Sequence, residues 1–125
     1  PTENTSVLDA NYLTSYLVDE SGTAEITAYD PTSQRLFVTN SSSIEILDFS
    51  DPSNISSISS ISLPANTGGV QSVAVSNGMF AAAISANPST DPGFVMFSDT
   101  DDNNQAIVSV GALPDMITFT PDGTK

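Results

Sequence analysis

From residue 25 onward the chain alternates short apolar runs with clusters of turn-forming residues. "EITAYD" predicts a strand, "PTSQ" a turn and "RLFVT" a second strand. "NSSS" then turns into "IEILDF", where Ile44 and Ile46 alternate with Glu45 and Leu47 in the period of two expected of a strand. "SDPSN" reads as a loop. In "ISSISSISL" the residues Ile55, Ile58 and Ile61 are three apart, which fits neither a clean strand nor an α-helix. An outer, partly exposed strand with a bulge accounts for it. The cycle then recurs. "QSVAVS", the hairpin turn "NG" and "MFAAAIS" predict two paired strands, "FVMFSD" a third and "QAIVSV" a fourth. After "GALPD", the stretch "MITFT" reads as one more strand and "PDGT" as its turn.

The first-hairpin turns begin at Pro31, near Ser76 and at Pro121, a step of 45 residues each time. Four short strands per period of that length predict an all-β chain of β-propeller-type, four-stranded antiparallel blades. The competing arrangement is an antiparallel sandwich with evenly spaced hairpins. The runs "RLFV", "MFAAAI" and "FVMF" favour blades, because strands covered on both faces need not alternate. On this reading residues 25–68 form blade 1 and 69–112 blade 2. Residues 113–125 supply the first strand and turn of blade 3, as expected of the N-terminal part of a larger propeller. Residues 1–24 are expected to form an N-terminal strand or arm that could complete a closing blade. Leu8, Tyr12, Leu13, Tyr16 and Leu17 would line one face of a helix, but "YLTSYLVD" also suits a strand, and the β-rich remainder tips the reading to strand.

Composition narrows the function. Ser and Thr supply 33 residues and suit strands and polar turns better than helices. Fifteen acidic residues face only Arg35 and Lys125, for a net charge of −13. Nucleic acid and anionic membrane surfaces are poor partners for such a chain, since both need Lys and Arg. Cations, basic proteins and neutral glycans are not excluded. No apolar run approaches the length of a membrane span. No basic-then-apolar leader precedes the strands, so any signal peptide is expected to be removed or to lie outside this sequence. Asn4, Asn40 and Asn54 each head a glycosylation sequon, a motif that chance supplies often in a chain so rich in Ser and Thr.

The chain has no His and no Cys, which removes the usual general base and nucleophile pairs. Phosphoryl chemistry needs Lys, Arg or metal to hold developing charge, and "NTGG" at 66–69 reads as a loop with no helix after it. Adjacent acids, Asp101–Asp102 and Asp19–Glu20, read as solvated charges, since a glycosidase pair must face across a cleft. The sharper candidate is calcium. In "SDTDDNNQ" Asp99, Asp101 and Asn103 fall at alternate positions, as at the start of a calcium loop. The Gly and the later bidentate Glu of that motif are missing, and a polar hairpin with Asp and Asn chosen for turn geometry is the plainer reading. Asp30-Pro31, Asp51-Pro52 and Asp91-Pro92 read as turn starters. Tyr12, Tyr16 and Tyr29 could stack on a sugar or a protein, or simply pack.

"AEITAYDPTSQRLFVTN", "IEILDFSDPSN", "VQSVAVSNGMFAAAI", "DPGFVMFSDTD" and "GALPDMITFTPDGTK" resemble, in the same order, the start of the choice-of-anchor I domain. That family comprises bacterial cell-surface β-propellers related to mesenchyme-specific cell-surface glycoproteins. The resemblance covers residues 22–125 and implies an extracellular or surface-anchored propeller. The expectation is a module that is not itself catalytic. Its partners would be protein (the rest of a parent propeller, another copy or a larger assembly) or glycan. Two alternatives stand beside it. One is a phytase-like or phosphatase-like hydrolase whose active residues lie outside this chain, and the other is a subunit of an extracellular ring or filament.

Overall fold

A computed structural model describes residues 8–18, 20 and 24–125. Eight strands form two four-stranded sheets. The first sheet contains β1 (Thr27–Asp30), β2 (Arg35–Thr39), β3 (Ser43–Asp48) and β4 (Ser56–Ser62). The second contains β5 (Thr67–Ser76), β6 (Met79–Ala86), β7 (Pro92–Asp99) and β8 (Ala106–Ala112). Each is an antiparallel meander in chain order, β1-β2-β3-β4 and β5-β6-β7-β8. The two sheets are all the regular structure among the described residues, and they are not closed into a ring.

Turn chemistry sets the registers. Gln34 and the pair Asn77-Gly78 take positive φ, as tight hairpins require, at 54°, 50° and 78°. Asp30 then faces Arg35, and Ser76 faces Met79. In β4 the expected bulge forms: Ile46 pairs with Ser59 and Leu47 with Ser57, so Ile58 has no opposite residue.

The sheets pack face to face. Phe37, Ile44, Ile46 and Ile61 of the first interlock with Val70, Phe80, Ala82, Ile84 and Met96 of the second. The Phe37 and Phe80 rings lie at the centre, tilted, with centroids 5.0 Å apart. The opposite faces are also covered in the central strands. Val38 and Leu47 are buried although their neighbours Phe37 and Ile46 point the other way, and every residue from Phe80 to Ser85 is buried. Of the three unbroken apolar runs, "MFAAAI" is buried throughout from Phe80 on, whereas "RLFV" is buried only at Phe37 and Val38 and "FVMF" only at Met96.

Three expectations need correction. Residues 12–18, read as part of a strand, form neither strand nor helix. Leu8, Tyr12, Leu13 and Leu17 stand exposed with no ladder to join; Asp19 lies outside the described residues. Residues 116–120, also read as a strand, form no ladder. The segment meets the second sheet through the Ile117 N–H, which donates to the Ser72 hydroxyl at 3.1 Å, a side-chain rather than a backbone acceptor. Thr67, Gly68 and Gly69 are not loop but the start of β5, whose pairing there absorbs register shifts. The turn at 121–124 does form: Gly123 N–H donates to Thr120 O at 2.7 Å, and Thr120 N–H to Lys125 O at 2.8 Å. Gly93 shows how closely the chain returns. A Cβ there would meet Pro114 Cδ at 2.5 Å and the Ile84 carbonyl at 2.6 Å.

Because Phe80 is fully buried at the junction of the sheets, Phe80→Ala should cost about 3–5 kcal/mol. The measurement is urea unfolding. The exposed control Met79→Ala should change the midpoint little.

Candidate functional site

Polar groups gather at the end of the sheets where β1 turns into β2. Asp30 is the most buried of the described acids, 2% exposed. Its carboxylate accepts from the Thr32 and Ser33 N–H groups at 3.1 and 3.2 Å and from the Ser33 hydroxyl at 2.6 Å. The Gly78 N–H, in the corresponding turn of the second sheet, lies close enough to help lower the carboxyl. Burial pushes the Asp30 carboxyl up, but the Ser33 hydroxyl and these N–H groups outweigh it and hold it below the ordinary value of 3.8. The pattern "D-P-T-S" signalled only a turn; the reach to Gly78 became visible with the two sheets in place.

Arg35 follows at the start of β2. Its guanidinium lies 3.8 Å from Asp48 Oδ1 and 3.6 Å from Asp101 Oδ1. Asp101 belongs to the β7–β8 loop, so this contact crosses between the sheets. Ser59 of β4 makes a second crossing, donating to Asp102 Oδ2 at 2.8 Å. Thr100 N–H donates to Gly78 O at 3.1 Å and ties the loop to the neighbouring turn. Arg35 Nε is buried and finds no acceptor among the described residues, so the crossings leave one donor unpaired. The sequence signal for this role was slight: Arg35 is one of only two cations in the chain.

Of the three residues read as calcium ligands, Asp101 and Asn103 lie in this same loop and Asp99 closes β7 just before it. Asp99 Oδ1 accepts the Asp101 and Asn103 N–H groups at 3.1 and 2.8 Å, and its Oδ2 accepts from the Asn104 amide at 3.1 Å. The Asn103 N–H is the main cause that holds the Asp99 carboxyl below 3.8, outweighing burial. The Asp101 carboxylate faces Arg35, while the Asn103 amide donates to Asp101 O at 3.2 Å. Backbone bonding thus brings the three together, with each side chain engaged within the loop or by Arg35. Among the described residues no group of three or more acids that could hold a metal ion occurs.

The remaining candidates sit elsewhere. Asp101 and Asp102 face different partners, Arg35 and Ser59, rather than a shared cleft. Glu20 is exposed. Asp51 caps its own turn by accepting the Ser53 N–H at 3.0 Å, and Pro92 opens β7 behind Asp91. Tyr29 packs edge-on against Phe49 with centroids 5.7 Å apart; Tyr12 is exposed and Tyr16 half-buried. Asn40 is buried, with its amide donating to the Ser43 hydroxyl at 2.8 Å, whereas Asn54 is exposed and Asn4 lies outside the described residues. At the opposite end of the sheets a cleft of about 260 Å³ opens between Glu25, Ile26, Asn40, Ser41 and the Gly68–Gln71 stretch of β5. Gln71, which lines it, donates through its side-chain amide to the buried Ser85 hydroxyl at 3.1 Å.

No helix among the described residues is long and apolar enough to cross a membrane. The family model of the choice-of-anchor I domain matches residues 25–125. No curated protein and no solved structure matches the chain.

Two outcomes follow from this geometry. Folding favours the charged form of Asp30 and Asp99, so their stabilisation is complete above pH 3.8 and is lost as the pH falls through their lower folded values. Asp30→Asn should flatten that acid loss, and Asp30→Ala should cost about 2 kcal/mol at neutral pH by leaving donors unpaired; unfolding curves at several pH values measure both. Millimolar calcium should leave Tm unchanged, because Asp99 already accepts three N–H bonds. A rise in Tm that disappears in Asp99→Ala/Asp101→Ala would instead place the ion in the loop.

Proposed function

The chain belongs to the choice-of-anchor I family, and from that premise we propose that it is a non-catalytic interaction module displayed at the bacterial cell surface, built of propeller blades. The family carries the location, because its domains are those of bacterial surface proteins and are generally non-enzymatic.

One observation supports the blade reading above the others. Successive periods meet in corresponding places. The first-hairpin turn of sheet one meets that of sheet two through Asp30 and the Gly78 N–H. The turn at 121–124 meets that of sheet two in its own way: a Cβ on Gly123 would fall 2.6 Å from the Asn77 amide nitrogen and 2.7 Å from the Ser76 hydroxyl. Ile117 bonds Ser72, its counterpart 45 residues earlier. β1 lies beside β5, so the first strands are neighbours while β4 and β8 lie outermost. Repetition of one such step generates a ring of blades with first strands innermost.

Surface chemistry suits binding more than turnover. The chain has no His or Cys, and the guanidinium of Arg35 is engaged by Asp48 and Asp101. A charge of −13 is complementary to basic protein surfaces and does not repel neutral glycans. A hydrolase reading would place its cationic or metal-binding residues in other blades.

Two measurements test the proposal. An antibody against residues 25–125 should label intact cells of a producing bacterium without permeabilisation. The purified chain should turn over no phosphate ester or glycoside with or without divalent metal. Labelling only after lysis, or turnover abolished by one internal substitution, would overturn it.

A further inference from the structure

Each sheet has one outer edge, and the two edges differ. β4 is rich in Ser and bulged at Ile58, and its Ser60 hydroxyl donates to Glu45 on the neighbouring strand. Bulges and nearby charge are common means of blunting an edge. β8, "AIVSVGA", has neither charge nor Pro, and keeps regular register with β7 from Ala106 to Ser109, before the register shift that lies between Pro92 and Phe94 of β7. Ile107 and Val108, which as successive residues point to opposite faces, are 57% and 51% exposed. Among the described residues no strand pairs with its outer side. Such an edge is a template for a further strand.

The same chain carries a segment suited to that template. Residues 12–18, "YLTSYLV", are uncharged, lack Gly and Pro, and are rich in strand-favouring Tyr, Thr and Val. They join no ladder, and Tyr12, Leu13 and Leu17 are 82%, 58% and 69% exposed. The segment matches the seven residues of β8 in length. Charge sharpens the match. Two copies at −13 repel, and both of these seven-residue stretches are free of acid.

We propose that the outer edge of β8 binds residues 12–18 of a second copy as a fifth strand. Backbone hydrogen bonds supply the affinity, and Ile107 and Val108 supply apolar contact for the Tyr and Leu side chains. Arm and edge are different surfaces, so the contact is head-to-tail. Each copy offers one of each, and copies join into a ring or a linear array. This goes beyond the surface-module reading and does not depend on it.

Sedimentation velocity across a wide concentration range tests the contact. The wild-type chain should associate with increasing concentration. Val108→Lys, which charges the edge, and the arm variant Leu13→Asp/Leu17→Asp should each be monomeric, with unchanged Tm because these side chains are exposed. A mixture of the two variants should form a 1:1 dimer and nothing larger, since together they retain one working arm and one working edge. If Val108→Lys does not fold, a synthetic peptide of residues 8–18 replaces it, and should dissolve wild-type oligomers by capping the edge. A wild-type chain that stays monomeric, as it would with its own arm folded onto its own edge, overturns the proposal. So does association that survives the edge variant and the peptide.

Discussion

A four-stranded sheet has two faces and cannot bury either by itself. Here Phe37 and Phe80, with ring centroids 5.0 Å apart, close one face of each sheet against the other. The rest of the structure depends on that closure. It dehydrates Ile44, Ile46, Ile84 and Met96 together and brings the ends of the sheets within polar reach. The central strands also bury their second faces at Val38, Leu47, Ala81 and Ala83. A sheet covered on both sides is a layer in a stack, which is how strands this apolar keep both faces from water.

The acidic residues gain a structural use from the same closure. A chain with 15 acids and two cations cannot neutralise itself by ion pairs. It satisfies several carboxylates with backbone N–H groups and hydroxyls instead. Asp30, Asp99 and Asp122 each accept donors from their own turns, and all three carboxyls are held below the ordinary value. Asp101 and Asp102 do a different job, reaching Arg35 and Ser59 on the other sheet. The β7–β8 loop is thereby a clasp between layers as well as a hairpin. This gives "SDTDDNNQ" a structural explanation that needs no ion.

Family membership and geometry bear on function at different levels. The match over residues 25–125 gives the family and its cell-surface setting. The structure adds the way one period meets the next, through the first strands and the first-hairpin turns. Binding surfaces in such a stack are formed by the ends of the sheets, their loops and their outer edges. The cleft beside Glu25 and the outer edges of β4 and β8 are such surfaces among the described residues.

Local chemistry determined the strands and their turns. Asn77-Gly78 dictates a tight hairpin wherever it stands, and the three-residue spacing of Ile55, Ile58 and Ile61 announced the bulge of β4. Composition alone excluded His- and Cys-based catalysis. Where a stretch needed a partner, the sequence was not enough. "YLTSYLV" and "MITFT" have the residues of strands yet form none, because a strand exists only as part of a ladder and propensity does not supply the neighbour. Within "NTGG", which looked like loop, Thr67–Gly69 became strand, because β6 was there to pair with it. The roles of Asp30 and Arg35 were equally illegible: each acts on a residue more than 45 positions away, Gly78 or Asp101, and only the packing of the two sheets brings those atoms together.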